Sequence, residues 1–235
     1  MLRAHPASSI AALAIVSTLL TATRGTLGAQ MVILDEGTFD IFVEGRHVGT
    51  EAFTIRREGS GADALVWANA TVSMDGVRRS LMRPVVKART DYSPIEYDNT
   101  IEGDDVSAVS LDHMGRHFSV RISSAAGERE REIPVRPSTV LLERGVAHHY
   151  WFLGDAIERE GAVVAAVVPR SGEQLRVQVT AVTPETIDAG GARVDARRVT
   201  LATGSDERSV WFDGQGRVLR VDVPAAGYRA VRVGG

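Results

Sequence analysis

The chain contains no cysteine, and Lys87 is the one lysine among its 27 basic residues. Without thiols, disulfides and thiolate chemistry are excluded, and an exported chain of this kind must be held by its core alone. No basic block is present and acids outnumber bases by 30 to 27, so nucleic-acid binding has no electrostatic basis. The preference for arginine over lysine reads as base composition of the genome rather than as a binding surface. No apolar run approaches the roughly 20 residues that a spanning helix needs. A phosphate loop, a dinucleotide fingerprint and a metal cluster are missing too, so no cofactor is expected. Ser60 and Ser205 sit in glycine-rich turn clusters without the G-x-S-x-G elbow of a nucleophilic serine.

What is present begins with Arg3, an apolar run from Ile10 to Leu20, and small residues at Thr26, Gly28 and Ala29. That order matches a secretory signal with its charged, apolar and exit regions. Residues 1–29 are therefore expected to be removed, leaving 30–235 as a single β-rich domain exported to the periplasm or the medium. Arg3 and Arg24 leave with the signal, which makes the remainder more acidic.

Most of that remainder repeats one rhythm, in which five to ten alternating or β-branched residues are followed by a Gly, Asp, Asn or Ser cluster. Phe39, Ile41 and Val43 alternate ahead of Glu44-Gly45-Arg46, and further strands fit 48–55, 65–75, 77–89, 95–102, 106–111 and 117–123. After a break they resume at 162–168, 175–182, 193–202, 210–212, 218–223 and 228–233. Two turns are near copies, Leu111-Asp112-His113-Met114-Gly115-Arg116 and Phe212-Asp213-Gly214-Gln215-Gly216-Arg217, each with a glycine suited to positive φ. Convergent turn chemistry and internal duplication both account for them. Glu128-Arg129-Glu130-Arg131-Glu132 alternates in sign, as expected of a solvated edge strand; partner docking is the alternative.

The break is a predicted helix over about 138–158, capped by Ser138 and weakened at Gly145. From Val146 to Leu153 it is apolar or aromatic all round, which marks a segment covered on several sides. Burying Tyr150, Trp151 and Phe152 is worth up to roughly 12 kcal/mol at the usual yield per area. That is comparable to the net stability of a whole domain, about 5–15 kcal/mol. A large curled antiparallel sheet, an open or half barrel with the helix on its concave face, is the expected architecture.

The segments Gly37–Ile55, Val140–Leu153 and Val210–Val233 together resemble a broad group of uncharacterised secreted bacterial β-proteins, whose sheets are similar in kind to the half-barrels of lipoprotein carriers. The resemblance implies an exported, non-enzymatic protein with an apolar cavity, and carries no catalytic residue across.

Function is therefore expected to be carriage of a lipid or other apolar ligand, or an envelope assembly role, with Trp67, His149, Tyr150, Trp151 and Phe152 lining or plugging the concave face. Adjacent His148 and His149 point about 100° apart on a helix and are poorly placed to share a metal. His113 and His117, with Asp112 nearby, are weak zinc-ligand candidates across a hairpin. Carboxylate pairs such as Asp35-Glu36 and Asp104-Asp105 fall where acids are common anyway. Two alternatives stand beside ligand carriage. One is a hydrolase using a carboxylate/His pair brought together by the fold. The other is a structural or partner-binding domain whose core is filled.

Overall fold

The computed structural model describes residues 31–76 and 79–234, so the expected signal segment lies outside the described residues. Fifteen strands follow in chain order. The first eight are β1 (Met31–Val43), β2 (Arg46–Glu58), β3 (Leu65–Asp75), β4 (Arg79–Arg89), β5 (Pro94–Gly103), β6 (Ser107–His113), β7 (His117–Ser124) and β8 (Gly127–Pro134). The rest are β9 (Thr139–Leu141), β10 (Val163–Val168), β11 (Glu173–Ala189), β12 (Ala192–Thr203), β13 (Asp206–Phe212), β14 (Val218–Val223) and β15 (Tyr228–Arg232). They form one curled sheet in the order β8 to β1, then β15 down to β9. Strands β1 to β8 form one meander of hairpins and β10 to β15 another, and the two join where β1 pairs with β15, Ile41 opposite Ala230.

The alternation read from the sequence decides which face is inside. In β2, Glu51, Phe53 and Ile55 are buried, and in β3 Val66, Ala68, Ala70 and Val72 are, the period of two that puts every second side chain on the core face. The open edges are β8 and β9. Near that gap, Gln174 of β11 accepts from Arg136 Nε at 2.7 Å and donates to the Pro134 carbonyl at the end of β8 at 3.0 Å. The other join is reinforced inside the curl by a bidentate ion pair, Arg232 to Asp35 at 2.7 and 3.1 Å, with both residues buried. Paired and doubly hydrogen-bonded, these charges tie the first strand to the last without an uncompensated buried ion.

The helix lies on the concave face as expected, but it is shorter and of another kind. Residues 139–141 form β9, which runs parallel to β10 with Val140 opposite Ala166. Ser138 does not cap a helix; its φ is 53°. The helical segment is His148–Glu158, two short 3-10 helices joined at Gly154, where φ is 48° and ψ −137°. Two facts explain the correction. Gly145, with φ 75°, interrupts the chain before the aromatics. A parallel pair also needs a crossover between its strands, so the stretch from β9 to β10 must pass over the sheet instead of turning back beside it. The curl receives it, and Tyr150, Phe152, Leu153 and Ile157 are buried in the main core.

The two similar hairpin turns occupy the same end of the sheet, between β6 and β7 and between β13 and β14, and the glycines at 115 and 216 have φ of 81° and 77°. Their polar chemistry differs. Asp213 accepts from the Gln215 and Arg217 amides, both at 2.9 Å, whereas in the first turn His113 Nδ1 accepts from the Gly115 amide at 3.3 Å.

The kink gives a direct test. A Cβ at Gly154 would lie 2.4 Å from the Tyr92 ring, in a backbone conformation that side chains rarely adopt. Gly154→Ala is expected to destabilise by about 2–4 kcal/mol, combining backbone strain and overpacking. Urea denaturation measures it, and an unchanged midpoint would show that the kink is not required.

Candidate functional site

Inside the curl, the 3-10 segment is held by a knot of polar groups. Glu51, pointing inward in phase with Phe53 and Ile55, accepts hydrogen bonds from the Ala147 and His148 amides at 2.7 and 2.8 Å. Its Oε1 also lies 2.8 Å from His148 Nδ1, and both side chains are fully buried. The carboxylate thus satisfies amides that the start of the segment would otherwise leave without partners. The His148 ring stacks on Phe53 at 5.6 Å and meets His149 edge-on at 4.6 Å.

His149 is anchored separately. Its Nδ1 accepts from the Glu143 amide at 3.1 Å, which fixes the neutral tautomer with its proton on Nε2. Burial, with His148 next to it, holds its pKa well below the usual histidine range. Glu143, whose side chain is buried, accepts from the Arg144 and Arg170 amides at 2.8 and 3.1 Å, and the Arg170 guanidinium lies 3.6 Å away. Burial raises its carboxyl pKa despite those partners. Tyr97 packs edge-on against His149 at 5.8 Å, and burial, reinforced by the Glu143 carboxylate, holds its phenol well above the usual range. Tyr150 accepts from Arg208 at 3.0 Å.

A carboxylate/His pair is therefore present in Glu51 and His148, but both are sealed in the core and Glu51 is occupied with backbone amides. Its evident role is to fasten the segment. His149, Tyr150 and Phe152 are likewise core residues, 0–4% exposed. Trp67 is placed otherwise than expected: it is on the outer face of β3, between Arg56 at 5.7 Å and Lys87 at 5.1 Å, because its neighbours Val66 and Ala68 take the inward phase. His113 and His117 are not brought together as ligands. His113 packs on Phe118 and accepts from its own turn, while His117 lies 3.6 Å from Glu132. No group of three His, Asp or Glu is arranged to hold a metal among the described residues.

Of the expected ligand residues, Trp151 alone reaches an opening. Half-buried, it lines a cleft of about 480 Å³ at the end of the curl where the β4–β5 and β13–β14 turns lie, with Tyr92, Ile157 and Phe212 as further walls. Tyr92 meets Trp151 edge-on at 5.0 Å and Phe152 at 6.1 Å. It does so from a left-handed backbone conformation, φ 67°, with its ring against Gly154. Arg197 and Glu158, 3.8 Å apart, supply charge at the rim.

No family model matches the chain, and no curated protein matches it in sequence. Among solved structures, the fold is similar to the crystal structure of a beta-barrel-like protein of domain of unknown function DUF1849 from Brucella abortus. Identity is 12% and the TM-score 0.50, over 85% of this chain and 95% of that one. The shared fold is that of an uncharacterised β-protein, in keeping with the resemblance seen in the sequence.

Two outcomes test the knot. Glu51→Ala leaves two amides and an imidazole nitrogen without an acceptor in the core, and is expected to cost about 3–5 kcal/mol in chemical denaturation. The second concerns pH. Because His149 stays neutral when folded but takes a proton near its ordinary value of 6.5 when unfolded, stability is complete above that pH and falls as pH drops below it. Relative to His149→Gln, which keeps an acceptor but cannot be protonated, the parent is expected to lose about 1.4 kcal/mol per pH unit below 6.5. Parallel stability curves for the two proteins would show that His149 does not contribute this dependence.

Proposed function

We propose that the chain is an exported, non-catalytic binding protein of the cell envelope, which holds an apolar ligand at the mouth built by Tyr92 and Trp151. The observation that carries this reading is a half-buried tryptophan lining an open cleft beside Tyr92, which is held in a left-handed backbone conformation against Gly154. For a tyrosine, strain of order 1–3 kcal/mol persists only where the surroundings impose it, and such positions cluster at binding sites. The cleft lies within the size range of small-molecule sites, about 300–1,000 Å³. One side of the cleft, Tyr92, Trp151, Ile157 and Phe212, suits an apolar group, and the other, with Glu158, Asp195, Arg197 and Asp213, suits a polar end. The concave interior, occupied by the 3-10 segment, contributes support rather than room.

That filled interior also favours a second reading, in which the same mouth docks a protein segment and the domain is an assembly module. Organic extraction of protein purified from the envelope fraction, followed by mass spectrometry, separates the two. Carriage at this mouth predicts a retained uncharged lipid that falls at least tenfold in Trp151→Ala, with thermal stability close to that of the parent because Trp151 lies partly outside the core. Protein that stays empty with every lipid class offered, or equal retention by the variant, would reject the ligand reading.

A further inference from the structure

The opposite end of the curl, where the β1–β2, β3–β4, β5–β6 and β10–β11 turns lie, carries a second opening of about 500 Å³. Its character differs from that of the aromatic mouth. Three guanidinium groups border it, Arg46 at the start of β2, Arg79 at the start of β4 and Arg170 in the turn before β11. The apolar part is Val43, Val48, Met74 and Ile101. We propose that this mouth binds a single-chain anionic amphiphile, its carboxylate or phosphate head on the arginines and its acyl chain against the aliphatic and methionine wall.

Charge and shape both lead there. The chain as a whole has a net charge of −3, yet this opening gathers three cations against one acid, Asp105. Arg46 and Arg79 are exposed, and among the described residues neither guanidinium has a hydrogen-bond or ion-pair partner. Arg170 is already oriented by Glu143, 3.6 Å from its Nε, and its terminal nitrogen lies 2.7 Å from Met82 Sδ. One cation is thus fixed at the inner side of the opening while two remain free to close on a head group. Guanidinium groups match carboxylate and phosphate oxygens in a two-pronged geometry.

The apolar wall explains why an inorganic anion alone would not satisfy the site. Val48 and Met74 pack against the main core, so the wall continues inward from the rim. The methyl groups of Met74 and Met82 stand 3.9 and 3.8 Å from where a side chain on Gly145 would begin. Unbranched thioethers adjust to chains of differing length.

Calorimetric titration of the full exported chain with monomeric palmitate, inorganic phosphate, hexadecanol, and vesicles of phosphatidylcholine with phosphatidylglycerol tests the proposal. Palmitate is expected to bind at one site, hexadecanol and phosphate at least tenfold more weakly, and the vesicles not at all. The double variant Arg46→Ala/Arg79→Ala, altered at exposed positions only, is expected to lose at least tenfold in palmitate affinity, and added salt to weaken the parent but not the variant. Trp151→Ala should bind palmitate as the parent does, which keeps this site distinct from the aromatic mouth. Equal affinity of parent and double variant, phosphate binding as tight as palmitate, or capture by vesicles alone would each overturn the proposal.

Discussion

A buried carboxylate meeting the start of a buried aromatic segment is the interaction on which the rest of the structure turns. The residues from Val146 to Leu153 are too apolar to lie in water, yet a 3-10 segment brought inside a sheet arrives with backbone amides that need acceptors. Glu51 meets that need by taking two of them and the His148 ring. Once the segment is fastened there, its aromatics fill the curl from within. The sheet can then remain open between β8 and β9 without exposing a cavity at its centre.

The same fastening divides the molecule into a sealed middle and two dissimilar ends. In the middle, His149, Glu143 and Tyr97 are shifted by burial toward their neutral forms. Groups driven to neutrality and shut away from solvent stiffen a fold; they do not meet a substrate. Chemistry available to a ligand is left at the mouths, one aromatic around Trp151 and Tyr92, the other cationic around Arg46, Arg79 and Arg170. Arg170 and Glu143 connect the cationic mouth to the knot.

Much of the fold was legible because a strand's pattern is local. Alternation at Phe39, Ile41 and Val43, or at Val66, Ala68 and Ala70, records which face is inside, and turn clusters mark where the chain reverses. The aromatic run was legible as a covered segment for a similar reason. Its conformation was not: a helix beginning at Ser138 agrees with local capping rules, but the parallel pairing of β9 with β10 takes residues 139–141 into the sheet. Trp67 was misplaced because β3 carries apolar residues on both faces, and on the outer one the Arg56 guanidinium and the Lys87 ammonium lie over its ring. Glu51 did leave a trace, an acid in the inward phase of a strand otherwise bearing Phe53 and Ile55. Glu143 and Arg170 left none, since irregular chain has no period to violate.

By itself the sequence determined that this chain makes hairpin after hairpin around one greasy crossover, because hydrophobic period and turn chemistry act between near neighbours. Tertiary structure alone decided which polar groups meet, because Glu51 and His148 are 97 positions apart and Asp35 and Arg232 are 197 apart. Such partners are chosen by how a sheet curls and where it joins, and no short stretch of residues encodes that geometry.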